Sequence, residues 1–469
     1  MNIQREGERV YKKTLIHYIP AVLVPAITNI FLTLGLARIL DLNIYGDYTY
    51  LTSIAVVVTS ILSQWLVQSI QKFYYVDKEK EEYILLINNF KAALIYLFII
   101  SFVVWSFNKV FLNTNDGFIN NLLGLIMLFS SQSLLAVKVA EYAAKYQVKH
   151  IRNLNIQQSF LKLIFLTAYL LLVNSYQLNE IIVMIAFPAF LNLLYFIGRD
   201  KEIRDISRIN YFTMNSSAKE LFNIHLRKSL AYGLPMTGWF IGTNLLGVGD
   251  RIILKFFTDS SQVGVYSANY TLVSTGIALL VSPLLQAAHP IIMNYGQKEK
   301  QSPEEVALFI EKLSRKFIMV SMLMVVFLFF YYKKISLLLF GSEYQAGAII
   351  IPLSILGIFF WNYSMYGHKG IELLGRPLQM MKYVLYSALI NTVLNIVLIP
   401  IMGIKGAGIA TLIAYISYAF MIKVNSRHNI RWIINYKYIG SLAVIYSVLC
   451  FLLSPLINLV LDYIIKVMN

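Results

Sequence analysis

Charged residues are scarce in this sequence, and that scarcity excludes an ordinary soluble fold. Only 14% of the 469 residues are charged and 58% are hydrophobic, whereas soluble domains carry about 25% charged residues. A soluble protein of this composition would expose larger apolar patches than monomers tolerate. A helix needs about 20 apolar residues to cross a bilayer. Apolar stretches of this length follow one another along the chain. The composition therefore predicts a polytopic membrane protein.

Cysteine and catalytic motifs are almost absent. The single cysteine, Cys450, excludes an intramolecular disulfide, and no Cys/His grouping has the spacing of a metal site. The sequence contains no paired acidic motif and no P-loop, G-x-S-x-G or H-E-x-x-H pattern. The predicted outer loops are short, whereas a membrane glycosyltransferase or polymerase usually presents a sizeable outer catalytic loop. We therefore expect no catalytic residue, no metal and no enzyme.

Basic residues outnumber acidic residues, 40 against 24, which gives a net charge of +16. In a soluble protein this excess would suggest a nucleic-acid partner. Here 30 of the 40 basic residues fall in loops on one predicted side and only 7 on the other. That asymmetry is the positive-inside pattern, so no nucleic-acid partner is expected. The bias alternates from loop to loop, which predicts an even number of spans and two cytoplasmic termini.

The predicted fold is all-α and polytopic, with two pseudo-symmetric six-helix lobes and one or two C-terminal helices. We expect 12–14 spans, and the loop charges favour 14. The first lobe covers 1–198, a cytoplasmic amphipathic linker 199–228, the second lobe 229–424 and the C-terminal helices 425–469. The individual spans are predicted near 14–36, 48–69, 84–106, 118–140, 154–174, 178–198, 229–256, 265–290, 315–332, 346–366, 380–401 and 405–424, with one or two more between Tyr438 and Val467.

Two cytoplasmic helices are predicted from local patterns. In the linker, Ile203, Ile206 and Ile209 recur at helical spacing among charged residues, which indicates an interfacial amphipathic helix. Before the ninth span, Ser302-Pro303-Glu304-Glu305 is a capping box with proline at the first helical position.

The two halves of the sequence resemble each other. Lys13-Thr14-Leu15 recurs as Lys228-Ser229-Leu230, and Gly46-x-Tyr48 recurs as Gly264-x-Tyr266. Six spans separate the copies, so both halves have the same orientation in the membrane. This arrangement predicts a parallel repeat with a substrate site between the halves.

Four stretches carry a family resemblance. The first runs from Leu36-Ala37-Arg38 to Tyr45-Gly46. The other three are GDRIIL at 249–254, GVYSA at 264–268 and GIKGAGIAT at 403–411. In these stretches the chain resembles the polysaccharide flippases of the multidrug/oligosaccharidyl-lipid/polysaccharide (MATE-like) exporter superfamily. The resemblance implies a central cavity that faces each side of the membrane in turn.

The same resemblance implies a function and a location. It implies export of an undecaprenyl-pyrophosphate-linked repeat unit, for the O-antigen of lipopolysaccharide or for capsule, across the bacterial cytoplasmic (inner) membrane. Membrane lipids and the polysaccharide polymerase and chain-length machinery would be partners. A lipid II flippase, a MATE-like drug/cation antiporter and a membrane glycosyltransferase or polymerase remain as alternatives.

Lysines inside predicted spans are the candidate substrate-binding residues, because intramembrane charge is costly. Lys91, Lys138 and Lys162 lie in the cytoplasmic halves of their spans, and Arg38 joins them as a candidate. Their positive charges would attract a pyrophosphate diester. The alternative is that each long side chain simply reaches the lipid headgroups, which is equally expected for Lys138.

Other charged residues are candidates for a gate or for coupling. Asp250 and Arg251 are expected to form an ion pair at a gate, with Lys255 one turn further along. Glu141 can share a helix face with Lys138 and Lys145, which favours a surface ion-pair network over proton coupling. No cofactor is expected, and coupling to protons or sodium ions stays open. Helix kinks are predicted at three prolines: Pro20, Pro25 and Pro235.

Overall fold

The computed structural model describes residues 2–74, 81–109, 117–199, 216–296, 302–426 and 430–468. In this part of the chain the regular structure is helical throughout, which confirms the predicted all-α fold. It comprises α1 (Asn2–Ile39), α2 (Leu42–Phe73), α3 (Glu81–Phe107), α4 (Gly117–Ala144), α5 (Val148–Leu172), α6 (Leu178–Gly198), α7 (Ser216–Phe257), α8 (Ser260–Gly296), α9 (Pro303–Phe340), a 3-10 helix (Ser342–Gly347), α10 (Ile350–Gly367), α11 (Lys369–Leu373), α12 (Pro377–Met402), α13 (Ile404–Asn425), α14 (Tyr436–Leu452) and α15 (Ser454–Met468).

Eleven stretches of helix among the described residues are long and apolar enough to cross a membrane, or up to twelve if the bent pair α14–α15 forms one span. The multi-pass prediction is confirmed, but the favoured number of 14 is higher than this count. The two tail helices meet at an angle of 63°, just before Pro455, which lacks an N–H and cannot continue the hydrogen-bonding of α14.

The predicted seventh span, 229–256, lies in α7, which is not one of these eleven stretches. Its 42 residues are long enough, but glycine, serine, threonine and asparagine dilute its apolar residues. Asp250, Arg251 and Lys255 lower its hydropathy further. Polarity, and not length, therefore separates α7 from the other candidate spans.

The start of α9 forms as its sequence predicts. The Ser302 hydroxyl accepts a hydrogen bond from the Glu305 amide at 3.2 Å, and the Glu305 carboxylate accepts one from the Ser302 amide at 2.9 Å. This reciprocal pair is a complete capping box. The predicted helix start at Ser302 is confirmed.

Packing divides the chain into two compact units. Unit 1 comprises Met1–Thr28 and Leu51–Ile241, and unit 2 comprises Asn29–Tyr50 and Gly242–Asn469. The division passes through α1, α2 and α7, and the predicted lobe boundaries stay a prediction. Residues 216–228 of the predicted linker belong to α7, while the predicted amphipathic helix around Ile203 lies outside the described residues.

Unit 1 has an apolar core between α2, α3 and α4. Leu66 and Ile70 from α2 pack with Ile87 from α3 and Val137 from α4 in one buried cluster. Hydrogen bonds within unit 1 also fix α7 against α2, since the Ser69 hydroxyl donates to Ser229 at 2.7 Å. This core surrounds the first candidate site.

The proline kinks stay a prediction. Pro20 and Pro25 lie inside α1 and Pro235 inside α7, and both helices continue past them. Each proline removes one backbone hydrogen-bond donor from its helix.

Unit 2 contains a close helix crossing at the two glycines of the sequence repeat. A Cβ atom on Gly264 would lie 2.8 Å from the Leu42 carbonyl oxygen and 3.2 Å from the Gly46 amide nitrogen. A Cβ atom on Gly46 would overlap the Ser260 carbonyl group. Only glycine allows the two backbones to approach this closely, so the repeated Gly-x-Tyr motifs mark where α2 and α8 cross.

Candidate functional site

The first candidate site is a buried charge triad in unit 1. Glu141 on α4 lies between two lysines: its Oε1 atom is 2.5 Å from Lys91 Nζ on α3, and its Oε2 atom is 3.0 Å from Lys138 Nζ. None of the three residues is more than 4% exposed. We call Lys91, Lys138 and Glu141 the lysine–glutamate triad.

Local helix geometry and tertiary packing both build this triad. Lys138 and Glu141 are three residues apart, so they lie on the same face of α4. Lys91 arrives from α3, which packs beside α4 in unit 1. The Tyr142 ring adds a cation–π contact, with its centroid 4.8 Å from Lys138 Nζ. The triad carries two ammonium groups and one carboxylate.

The surroundings of the triad make it sensitive to substitution. Val137 and Ala140, on the same stretch of α4, are fully buried in the apolar core. Removing an ion from water costs several kcal/mol, and losing one partner of a buried pair costs about 3–5 kcal/mol. The three side chains therefore depend on one another.

The structure differs from one alternative for Lys138 and from the expected surface network at Glu141. Lys138 does not reach towards solvent, since it is fully buried. The network around Glu141 is not at the surface, and its second lysine is Lys91 from another helix. Lys145, which shares the face predicted for this network, instead places its Nζ atom 5.5 Å from the centroid of the Tyr74 ring.

The other two substrate-binding candidates lie elsewhere. Lys162 is on α5 with a partly exposed side chain. Arg38 is in unit 2, where its guanidinium donates to the carbonyl oxygens of Leu338 at 2.5 Å and Leu339 at 2.8 Å. These carbonyls are in the last turn of α9, so Arg38 caps a helix C-terminus. This cap accounts for Arg38 without a bound substrate.

The second candidate site surrounds Asp250 in unit 2. One carboxylate oxygen accepts a hydrogen bond from the Arg251 amide at 2.8 Å. The other accepts from the Tyr266 hydroxyl and from the Thr411 hydroxyl, the latter at 3.4 Å. Asp250 and Tyr266 are both fully buried. A carboxylate in an apolar interior is thus held by three donors.

Two asparagines extend this cluster along α12. The Asn391 amide donates to the Thr411 hydroxyl oxygen at 3.3 Å, and the Asn395 amide donates to Asn391 Oδ1 at 3.0 Å. Asn395 is fully buried, yet its Oδ1 atom has no hydrogen-bond partner among the described residues. We call Asp250, Tyr266, Asn391, Asn395 and Thr411 the Asp250 cluster. It presents several buried oxygen atoms, one of which lacks a donor.

The predicted ion pair between Asp250 and Arg251 is replaced by other contacts. Successive residues project about 100° apart around a helix, so the two side chains diverge. The Arg251 guanidinium donates to Thr271 at 3.2 Å and lies 5.1 Å from the centroid of the Tyr270 ring. Asp250 contacts Arg251 through the backbone amide instead.

Lys255 forms an ion pair with Asp47, which the sequence did not reveal. Its Nζ atom lies 2.6 Å from the Asp47 carboxylate, and both groups contact the Ser260 hydroxyl. Asp47 directly follows Gly46 at the helix crossing. Within unit 2, Lys255 therefore stabilises the crossing of the repeated motifs.

A smaller polar group lies at the end of α8. Lys369 Nζ is 2.7 Å from His289 Nδ1 and 2.5 Å from the Glu372 carboxylate. His289 is thus a hydrogen-bonded residue of this polar group.

Comparisons with known proteins give few sequence matches. No family model matches the chain. A stretch of 216 residues is 27% identical to an uncharacterized membrane protein of Methanocaldococcus jannaschii. That match spans 44% of this chain and only 40% of the relative.

Solved structures give clearer matches. The lipid II flippase MurJ in an inward closed conformation has a TM-score of 0.71 and 12% identity, with 96% of each chain covered. A multidrug resistance MATE family transporter in an inward-facing conformation has a TM-score of 0.61 and 10% identity, with 91% of this chain and 98% of the transporter covered. The chain has the MurJ and MATE transporter fold.

The MATE-like fold agrees with the fold that the sequence motifs implied. At 10–12% identity the likeness shows the fold alone. The same fold is thus found in a flippase and in drug transporters. Any choice between these functions must come from the side chains.

Proposed function

We propose that the chain is a flippase, and not an enzyme, that carries undecaprenyl-pyrophosphate-linked oligosaccharide repeat units to the outer leaflet by alternating access. The repeat units would belong to O-antigen or capsule. The observation that carries this proposal is the lysine–glutamate triad, two ammonium groups on one carboxylate inside a MATE-like fold. The fold supports transport, and the lysines support an anionic cargo.

The charge of the triad favours a pyrophosphate over a cationic drug. A drug cation would be held by a carboxylate in an apolar cavity, whereas Glu141 is already occupied by Lys91 and Lys138. A pyrophosphate diester carries two negative charges and can accept hydrogen bonds from several ammonium groups. In this proposal Glu141 holds the two lysines in place, and Lys162 supplies a further positive charge.

The test begins with deletion of the chromosomal copy and mass spectrometry of undecaprenyl-linked species. We expect an oligosaccharide repeat unit linked to undecaprenyl pyrophosphate to accumulate. Accumulation of lipid II would instead indicate a lipid II flippase, and loss of drug resistance with no lipid accumulation would indicate an antiporter.

The lysines are then tested in the deletion strain. Lys91→Ala combined with Lys162→Ala should abolish surface polysaccharide, measured per amount of folded protein in the membrane because loss of Lys91 also breaks a buried ion pair. Lys149→Ala, a matched change at an exposed lysine, should leave surface polysaccharide intact. Normal surface polysaccharide from the double variant would contradict a role of these lysines in cargo binding.

We also propose that the Asp250 cluster couples transport to a proton or sodium ion. A buried carboxylate can take up a proton directly, and together with nearby hydroxyl and amide oxygens it can supply oxygen ligands and a compensating negative charge to a sodium ion. Asp250→Asn should remove the dependence of transport on the pH or sodium gradient while cargo still binds. Full gradient dependence in Asp250→Asn would contradict this assignment.

A further inference from the structure

A groove of about 640 Å³ lies in unit 2, and its lining includes no residue of either candidate site. One wall is the start of α9, residues 303–308, and the other consists of residues 431–436 and Lys423 at the end of α13. Its volume is in the range of about 300–1,000 Å³ that is typical of ligand sites. No part of the proposed transport mechanism uses it.

Trp432 fixes in place the segment 431–436, which lines one side of the groove. This residue is buried, and its ring lies 4.9 Å from that of Tyr363. Its amide donates to the Ser426 hydroxyl at 3.1 Å, and its carbonyl accepts a hydrogen bond from Lys423. Gly367 gives the indole room, since any Cβ there would collide with it. The groove is therefore a built feature of unit 2.

The lining of the groove is amphipathic. Arg431, which is exposed, and Lys423 both line the groove, so part of its lining is basic. Leu308, which is 58% exposed, lies with Ile433 and Ile434 along the apolar part. Basic and apolar side chains in one lining match a ligand with an anionic head and a hydrocarbon chain.

The segments that precede α9 and follow α13 in the sequence are both predicted to be cytoplasmic. The loops before α9 and after α13 are rich in lysine and arginine, as expected beside the anionic lipids of the cytoplasmic leaflet. We propose that the groove binds one anionic phospholipid, with its phosphate against Arg431 and Lys423 and an acyl chain along the apolar wall. Glu304, the acidic residue of the lining, weakens this binding.

The test is native mass spectrometry of the purified full-length protein in detergent, titrated with phosphatidylglycerol or phosphatidylcholine. The wild type should retain one phosphatidylglycerol and no phosphatidylcholine under matched conditions. Arg431→Gln should weaken phosphatidylglycerol binding about fivefold, the change expected for one basic residue near an anionic lipid. Glu304→Gln should strengthen it several-fold, an effect that loss of folding cannot imitate.

Lys437→Gln is the matched control, because Lys437 is an exposed basic residue of the same segment but does not line the groove. It should change the affinity less than twofold. Equal losses in Arg431→Gln and Lys437→Gln would show general surface attraction and overturn the proposal. Displacement of the lipid by an equal concentration of glycerol phosphate would also overturn it, because the acyl chain would then contribute nothing.

Discussion

Replacing Glu141 by glutamine should destabilise the protein more than any other single charge removal in unit 1. The glutamine side chain keeps the size of glutamate but leaves two buried ammonium groups, Lys91 and Lys138, without their carboxylate. Breaking a buried pair costs about 3–5 kcal/mol. Because two pairs share this carboxylate, we expect a loss of at least about 3 kcal/mol in the free energy of unfolding.

The assay is reversible unfolding of the purified protein in mixed micelles with increasing sodium dodecyl sulfate. Glu220→Gln is the control, since Glu220 is an exposed residue of α7 in the same unit and should change stability by less than about 0.5 kcal/mol. A double variant that combines Glu141→Gln with Lys91→Met also removes one of the two buried ammonium groups. It should be more stable than the sum of the single changes predicts, by about 1–3 kcal/mol.

Two results would refute this reasoning. If Glu141→Gln and Glu220→Gln destabilise equally, the triad is not a mutually dependent buried unit. If the Lys91 and Glu141 changes are additive, the 2.5 Å contact contributes no pairwise energy, and the two lysines are held by other interactions.

Three further predictions follow from unit 2 and from the topology. Gly264→Leu should block the crossing of α2 and α8 and reduce the level of folded protein, measured by fluorescence-detected gel filtration. Gly247→Ala is the control, because a Cβ atom at Gly247 meets no atom within 4 Å, and it should be tolerated. Equal levels of the two variants would contradict the crossing. Tyr266→Phe should cost about 1.5–3 kcal/mol, because the carboxylate of Asp250 loses a donor, and a change below about 0.5 kcal/mol in the same micelle assay would show that the hydroxyl is dispensable. A cysteine at Ser342 should react with an impermeant maleimide from outside and a cysteine at Val148 only after permeabilisation; the reverse labelling would overturn the predicted topology.

The sequence predicts most of the elements of the fold because hydropathy, loop charge and capping act locally. The helix start at Ser302 needs only four consecutive residues, and the pairing of Lys138 with Glu141 needs only one helical turn. The span count is harder to predict, because α7 combines a spanning length with many small polar residues. Pro455 was visible in the sequence, but the 63° bend that it accompanies was not.

The candidate sites depend on contacts that no local pattern reveals. Lys91 and Glu141 are 50 residues apart, and only the packing of α3 against α4 brings them together. Asp47 and Lys255 are separated by 208 residues, and their pairing follows from the glycine crossing. Asp250 and Arg251 are neighbours in the chain, which predicts an ion pair, but helical geometry turns their side chains apart.

One signal for the Asp250 cluster was present in the sequence. Asn391 and Asn395 are four residues apart in an apolar helix, so they share one face, and polar residues at such a position mark a functional site. Their connection to Asp250 runs through Thr411 on α13. That link required the packing of α12 against α13, which the sequence alone does not give.

The most direct test of the proposed function is a flipping assay in proteoliposomes. The cargo would be a fluorescent undecaprenyl-pyrophosphate-linked oligosaccharide, quenched from one side by an impermeant reductant. Wild-type protein should make the cargo on both leaflets accessible, and Lys91→Ala combined with Lys162→Ala should restrict quenching to one leaflet. Transport of a cationic drug by the wild type, with no movement of the lipid-linked oligosaccharide, would contradict the account.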